Sequence, residues 1–293
     1  MTSLADELGA SGQPSAAQRA AAHLNVRLGI GLGLLVLLVA AALVGPLLTH
    51  WSPSEISAGD ALSGPSASHW LGADNFGRDI FVRTAVGYRI SLEVAILSVL
   101  LGLAVGVPLG LVAGYGGSVV DNVIMRPLDV FMSFPAILLA ITVMAIFGTG
   151  LAVLILAIGV VYVPIIARVT RASTLETTKE LYVEAARSRG ASNRRIMLRH
   201  VLPNSMGPVI VQASILMGIA VLLEAALSFI GLGVRPPTPS LGIMLSEGRD
   251  FMTTSKWIVA VPGVAIALLV LTFNLIGDGL HSWLDPRGKA RIR

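Results

Sequence analysis

The chain has 293 residues, of which 54% are hydrophobic and 13% are charged, and its mean hydropathy is +0.79. Soluble domains carry roughly one-quarter charged residues, so this composition excludes an ordinary water-soluble protein and indicates a membrane protein. The net charge of +4 does not indicate nucleic-acid binding, because the basic residues cluster between apolar runs, and the lack of cysteine excludes disulfides, thiolate metal sites, catalytic thiols and a lipidated cysteine.

Six apolar runs have the length needed to cross a hydrocarbon core as a helix, about 17 to 25 residues. They predict an all-α polytopic protein with spans at 28–48, 90–113, 128–147, 151–168, 206–230 and 257–276. The polar residues 1–27 are too long and too weakly basic for an ordinary signal peptide. We therefore expect a flexible tail at 1–27 and a retained first span.

The distribution of lysine and arginine predicts the orientation of these spans. With a cytoplasmic N-terminus, the inside segments hold 15 basic residues and the outside segments hold 6. Cytoplasmic loops carry the excess of basic residues, so both termini are expected in the cytoplasm. The predicted organisation is an extracytoplasmic segment at 49–89, a five-helix core at 90–280 with a cytoplasmic coupling loop at 169–205, and a cytoplasmic tail at 281–293.

Charged residues occur together in the predicted extracytoplasmic segment, close to the second span. Asp74, Arg78 and Asp79 either contact a docking receptor or cap and pair locally, and the sequence leaves both interpretations open. The segment has about 40 residues and is too small to form a substrate-binding domain of its own.

Glycines recur at every fourth position of the second span, at Gly102, Gly106, Gly110 and Gly114. Small residues at this spacing let two helix backbones approach closely in a membrane, so the stripe predicts helix packing. The neighbouring glycine cluster lacks the pattern G-x-x-x-x-G-K-[ST], which occurs nowhere in the chain. ATP binding is therefore expected from a partner.

Prolines and one acid inside the spans are candidates for the translocation path. The prolines at 108, 135, 164 and 262 are expected to break helices, and Ser133-Phe134-Pro135 is a candidate pore-facing break. Glu224 either lines the path or its outer gate, or makes an interhelical hydrogen bond. None of the five histidines lies in a predicted span, so the sequence gives no support to a metal relay in the pore.

The loop before the fifth span has the features of a helix-turn-helix. Good helix formers run to Arg189, and Gly190 stands where a left-handed glycine ends a helix. Ser192 or Asn193 can cap a second helix. Because Ala185 and Ala186 lack side-chain bulk, the first helix is expected to lie in a groove on another protein, a role in docking rather than catalysis.

This loop resembles the signature loop of the inner-membrane permeases of binding-protein-dependent ATP-binding-cassette (ABC) importers, with Glu184-Ala185-Ala186, Gly190 and Leu202-Pro203 at the expected spacing. His200 stands where the family usually has isoleucine. The resemblance implies the type I ABC importer permease fold, and it implies that a coupling helix contacts the ATPase. The implied contact residues are Tyr182, Val183, Glu184, Ala185, Ala186, Arg187 and Gly190.

Other segments resemble the peptide and nickel branch of that family, and in particular its C-type subunits. Examples are the residues at 69–79, 224–233 and 274–280. The resemblance implies a bacterial inner-membrane protein that forms half of a peptide pore. It also implies a B-type permease partner, two ATPase domains that bind ATP and Mg, and an extracytoplasmic solute-binding protein.

Several alternatives remain open from the sequence alone. Within the family these are import of nickel, glutathione or an opine. A self-contained secondary transporter would leave the loop at 182–203 unexplained, and an intramembrane hydrolase would need a Ser/His pair or two aspartates within the spans. No cofactor or metal is expected in this chain, and no hydrolysis is expected from it.

Overall fold

The structure is a computed structural model, which describes the backbone of residues 16–284 and the side chains of residues 26–284. Ten α-helices follow one another in this part of the chain. They are α1 (Ala16–Val44), α2 (Ile80–Tyr115), α3 (Gly117–Met132), α4 (Ala136–Phe147), α5 (Leu151–Thr177), α6 (Leu181–Ser188), α7 (Asn193–Ile196), α8 (Leu202–Phe229), α9 (Leu241–Gly248) and α10 (Trp257–Leu284). A π-helical turn, Met197–Val201, joins α7 to α8. The all-α prediction is confirmed.

The most extensive interhelical contact joins α2 to α5, and the glycine stripe makes it possible. A Cβ atom at Gly102 would lie 2.9 Å from the Cβ of Tyr162, and one at Gly114 would lie 2.7 Å from the Cβ of Thr174. At Gly110 an added Cβ would overlap the carbonyl oxygen of Ala167. The prediction that this stripe packs helices is therefore confirmed.

Helix α8 lies at the centre of the bundle and contacts α2, α5, α9 and α10. The hydroxyl of Tyr162 donates a hydrogen bond to the carbonyl oxygen of Leu216 at 3.0 Å, which fixes α5 to α8. Helix α1 packs on the outside of α10, where a Cβ at Gly31 would lie 2.9 Å from Ile276 and one at Gly279 would lie 2.6 Å from Leu28. The core is therefore formed by α2, α5, α8 and α10, and α1 is peripheral.

Five helices are long and apolar enough to span a membrane, and a sixth span results if α3 and α4 are counted together. The prediction of one continuous span at 128–147 is wrong, because α3 and α4 meet at a bend of 93° around residues 133–135. Helix α3 begins well before that span and is amphipathic. Its acids Asp121 and Asp129 pair with Arg171 and Arg168 of α5, so residues expected in a loop are held as helix.

Three further boundaries differ from the sequence prediction. Helix α1 begins at Ala16, so residues 16–27 belong to a helix and not to the tail, while 1–15 lie outside the described residues. Helix α2 begins at Ile80 rather than 90, because Asp79 caps it. Helix α10 continues to Leu284, and 285–293 also lie outside the described residues.

The expectation that each proline breaks its helix holds at Pro135 alone among the four positions. Pro108, Pro164 and Pro262 lie inside continuous helices. Pro135 has no N–H to donate, and it disfavours a helical conformation at Phe134, so the helix ends before it. A hydrogen bond from Ser133 Oγ to the carbonyl oxygen of Val130 at 2.7 Å completes the end of α3.

Candidate functional site

Helix α6 lies at one end of the bundle, on a small apolar platform that the chain itself provides. The side chains of Val183 and Ala186 are buried, and they pack with Leu111, Ile196 and Val201. These platform residues come from α2, α7 and the π-helical turn. The platform holds a helix of only eight residues that would be unstable alone.

The opposite face of α6 is open to solvent. Leu181 is 81% exposed and Tyr182 is 41% exposed, and Glu184, Ala185 and Arg187 are also exposed. Partial burial and the nearby Glu180 carboxylate raise the pKa of Tyr182 above its usual value, and a tyrosine phenol is neutral at physiological pH even without that shift. The exposed face therefore presents one apolar side chain, one neutral phenol and a pair of opposite charges.

The sequence prediction assigned all of Tyr182–Arg187 to contact with a partner, and the structure corrects it at two positions. Val183 is 0% exposed and Ala186 is 5% exposed, so their side chains face their own chain. The small size of Ala186 serves close packing inside the subunit. Leu181, which the sequence pattern did not single out, is the most exposed apolar residue of the helix.

The turn after α6 has the geometry that the sequence predicts. Gly190 has a φ of +78°, and the amide of Ala191 donates to the carbonyl oxygen of Ala186 at 3.2 Å, as in a Schellman ending. The Ser192 hydroxyl then accepts a bond from the amide of Arg195 at 3.4 Å and caps α7. Tyr115 Oη donates to Asn193 Oδ1 at 3.0 Å, which ties this turn to α2.

The three residues predicted to dock a receptor make internal contacts. Asp74 and Arg78 belong to a charge network that links residues 49–79, called the outer segment after its predicted orientation, to α2 and α9. Asp74 accepts bonds from the backbone amides of Phe76 and Arg78, and Arg78 Nε donates to Asp74 Oδ2 at 2.6 Å. Arg78 Nη2 also donates to Glu247 Oε2 at 2.7 Å. The side chains of Asp74 and Arg78 are therefore committed to internal pairs.

Asp79 has two internal roles outside that network. Its Oδ1 accepts a bond from the amide of Val82 at 2.9 Å and caps α2, and its Oδ2 lies 2.8 Å from His69 Nδ1. Asp79 is 1% exposed. The interpretation that these residues cap and pair locally is correct, and their side chains do not form a receptor-docking surface.

The candidate path residues fall in two different environments. Ser133, Phe134 and Pro135 are exposed at the bend between α3 and α4. Glu224 is fully buried in α8, where it accepts bonds from Ser91 Oγ and Ser228 Oγ, each at 2.8 Å. Of the two open interpretations of Glu224, the geometry supports the interhelical hydrogen bond rather than a position on the path.

The described part of the chain contains no group of three or more His, Cys, Asp or Glu side chains that is arranged to hold a metal ion.

Residues 106–289 match the sequence profile of the family described as binding-protein-dependent transport system inner membrane component. That match covers more than half of the chain. The chain belongs to this family of transport permeases.

Several permeases align with this chain over most of its length and most of their own. The chain is 45% identical over 261 residues to the dipeptide transport system permease protein DppC of Alkalihalophilus pseudofirmus, a match that spans 89% of this chain and 86% of that protein. It is 44% identical over 269 residues to the glutathione transport system permease protein GsiD of Pectobacterium atrosepticum, covering 91% and 89%. It is 41% identical to the di/tripeptide transport system permease protein DppC of Pseudomonas aeruginosa, covering 92% and 90%.

Solved structures of similar fold come from ABC transporters. An inward-facing structure of the MetNI methionine ABC transporter matches with a TM-score of 0.59 at 20% identity, over 69% of this chain and 96% of that chain. A structure of an amino acid ABC transporter matches with a TM-score of 0.54 at 16% identity, over 69% and 94%. The permease therefore has the type I ABC importer fold.

Sequence reasoning missed Arg83 and Glu247, which complete the outer charge network of this permease. Arg83 Nη2 donates to Glu247 Oε2 at 2.9 Å, and its Nη1 donates to the carbonyl oxygen of Pro53 at 3.2 Å. Arg83 is 1% exposed although it lies in the first turns of a membrane helix. An arginine beside a span only weakly predicts a buried ion pair. It does not identify the partner, because Glu247 lies 164 residues away in the sequence.

Proposed function

We propose that this permease forms one half of the transmembrane pore of a peptide importer and that separate ATPase subunits drive it through α6. The observation that carries the proposal is the division of α6 into two faces. Val183 and Ala186 fasten the helix to the bundle, and Leu181, Tyr182, Glu184, Ala185 and Arg187 remain free for a partner. A short helix placed in this way passes the movement of a bound ATPase to α2, α7 and α8.

Partners supply what this chain does not carry. We propose that two ATPase domains bind ATP and Mg and hydrolyse ATP, and that an extracytoplasmic solute-binding protein delivers substrate. The excess of arginine and lysine near α6 supports a cytoplasmic location for this face and for both termini, in the bacterial inner membrane.

A second, homologous permease of the B type is the proposed partner in the membrane. The support is the exposed apolar face of α3 and α4, on which Val119 is 75% exposed and Ile146 is 70% exposed. Val123, Val130 and Phe147 extend this face. Ser133, Phe134 and Pro135 lie in the middle of it, so a pore between two permeases would pass close to the bend.

The proposed substrate class is small peptides. It is supported by the relatives that are named as dipeptide or di/tripeptide permeases over about nine-tenths of this chain. Glutathione is the second candidate, because a glutathione permease matches at 44% identity, and glutathione is itself a tripeptide. The two candidates share a free α-ammonium group, carboxylates and amide bonds.

Transport would proceed by alternating access. The receptor releases peptide into the outer side of the pore, ATP binding closes the ATPases, and α6 carries that closure into the bundle. Hydrolysis then resets the ATPases. The rigid elements for such a motion are the closely packed α2–α5 pair and the α5–α8 contact at Tyr162.

Ala185→Trp tests the assignment of α6. The indole would prevent close approach of a partner to the exposed face and would leave the platform intact, so we expect intact assembly in the membrane and loss of ATP-dependent dipeptide uptake. Ala40→Trp is the matched control, because Ala40 is an exposed alanine on the peripheral α1. Uptake in Ala185→Trp that equals uptake in Ala40→Trp would refute the coupling role of α6.

A further inference from the structure

A large cavity lies at the same end of the bundle as α6. Helix α8 forms its floor, and the last turns of α5 and α10 form its walls. Its volume is about 840 Å³, within the range of roughly 300 to 1,000 Å³ for small-molecule sites. It is separate from Ser133–Pro135 and from Glu224, none of which lines it.

The cavity is lined by both polar and apolar side chains. Its polar lining includes Ser173, Glu176, Glu180, Asn204, Gln212 and His281, and within residues 26–284 no lysine or arginine lines it. Glu176 and Glu180 lie on successive turns of one wall. The fixed charge of the lining is therefore negative, and a cleft lined by one sign of charge concentrates ions of the opposite sign.

The floor of the cavity carries a break in the backbone hydrogen bonds of α8. Pro208 lies inside the helix and has no N–H, so the carbonyl of Asn204 does not receive the bond that a helix normally supplies. Gly207 also lines the cavity, and a Cβ added to it would meet no atom within 4 Å. A carbonyl oxygen that lacks its usual helical donor and lies next to a cavity can accept a bond from a ligand.

One face of α8 leads from the cavity toward the middle of the span. Asn204, Pro208, Gln212 and Ile215 recur at intervals of three or four residues, which places them on the same side of the helix. Ile219 and Leu222 extend this face, and both are exposed in the subunit. The cavity therefore adjoins an apolar strip on the exposed side of α8.

We propose that this cavity is the cytoplasmic exit vestibule of the translocation path and that it receives the ammonium end of the transported peptide. Carboxylates from Glu176 and Glu180 and the carbonyl of Asn204, to which Pro208 cannot donate, supply acceptors for a cationic donor. Gln212 supplies a neutral amide for the peptide bonds. The ligand class rests on the proposed function. The vestibule itself rests on the cavity, the backbone break and the exposed face of α8.

Single-cysteine labelling tests the vestibule directly, because the chain has no cysteine of its own. Gln212→Cys is assembled with its partners in inside-out vesicles and treated with a cationic or an anionic methanethiosulfonate reagent, and labelling is read from the mass of this subunit. We expect the cationic reagent to react about tenfold faster, from the concentrating effect of an acidic cleft. The added variant Glu176→Gln/Glu180→Gln should bring the two rates together.

Ser118→Cys is the reference, because Ser118 is exposed near the start of α3 and does not line the cavity. It should react with both reagents at similar rates. Equal rates at Gln212→Cys, or a preference that persists in Glu176→Gln/Glu180→Gln, would overturn the proposed electrostatics of the vestibule.

Uptake of a radiolabelled dipeptide after complete labelling tests the vestibule separately from the assignment of peptide as the substrate. Loss of uptake in labelled Gln212→Cys, with uptake retained in labelled Ser118→Cys, supports a vestibule on the path. Uptake that survives labelling of Gln212→Cys refutes the vestibule and leaves the peptide assignment standing. Charge-selective labelling in a transporter that takes up no dipeptide refutes the peptide assignment instead, because labelling is measured without any substrate.

Discussion

Three charged side chains at the end of the outer segment, those of Asp74, Arg78 and Asp79, turn inward, whereas Glu184 and Arg187 of the hairpin formed by α6 and α7 turn outward. Asp74 and Asp79 are almost fully buried and make pairs within the subunit. Glu184 and Arg187 are exposed on a helix whose buried face packs through the apolar side chains Val183 and Ala186. The comparison teaches that charge serves the architecture of the outer segment and remains available for partners at the face of α6.

Arg83→Met should have the largest effect on stability. It leaves Asp74 and Glu247 short of a buried partner, and breaking a buried pair in this way costs about 3 kcal/mol in the free energy of unfolding. A lower thermal denaturation midpoint of the purified permease in detergent is the measurement. Arg249→Met is the control, because Arg249 and Asp250 form a pair on an exposed surface and should be nearly neutral.

An unchanged midpoint for Arg83→Met would mean that the outer charge network does not hold the outer segment. The proposal that charge stabilises the architecture of the outer segment would then be wrong.

Helix caps extend the comparison, since each region begins a helix with a side-chain cap. Asp79→Ala removes a buried cap with a 2.9 Å bond and also the partner of His69, so we expect a loss of about 2 kcal/mol. Ser192→Ala removes an exposed cap with a 3.4 Å bond and should cost about 0.5 kcal/mol. Thermal denaturation of both variants gives the ratio, and equal losses would contradict the difference in burial.

Five of the six predicted spans and the turn at Gly190 were predictable, because apolar length and a glycine with positive φ act over a few residues. A proline alone did not predict a break, since Pro108, Pro164 and Pro262 lie inside continuous helices. The pairs of Arg83 with Glu247 and of Asp121 with Arg171 were not predictable, because they join residues far apart in the chain. The inward orientation of Val183 and Ala186 also required the structure, since their platform comes from α2, α7 and the π-helical turn.

Gly190→Ala tests the turn that presents α6. A Cβ at Gly190 would meet no atom within 4 Å, so the cost comes from the φ of +78° alone and should be about 1 kcal/mol. Gly33→Ala is the matched control, because Gly33 lies within α1 and is equally free of neighbours. It should raise stability slightly through helix propensity. A neutral Gly190→Ala would show that the turn relaxes into another conformation.

Glu184→Lys should have the smallest effect on folding and a strong effect on coupling. Glu184 is exposed, so reversal of its charge leaves the platform under α6 unchanged. We expect an unaltered denaturation midpoint and ATPase activity that no longer drives dipeptide uptake. A fall in the midpoint comparable with that of Arg83→Met would show that Glu184 is a structural residue like those of the outer network.

The most direct test of the two-faced coupling helix is to ask which residues of α6 reach the ATPase. Single cysteines at Tyr182, Val183, Ala185 and Ala186 are introduced into the cysteine-free chain, and the assembled transporter is treated with a short thiol-to-amine cross-linker. We predict adducts with the ATPase from positions 182 and 185 and none from 183 and 186. Adducts from all four positions, or from none, would contradict a helix with one face on its own bundle and the other on the ATPase.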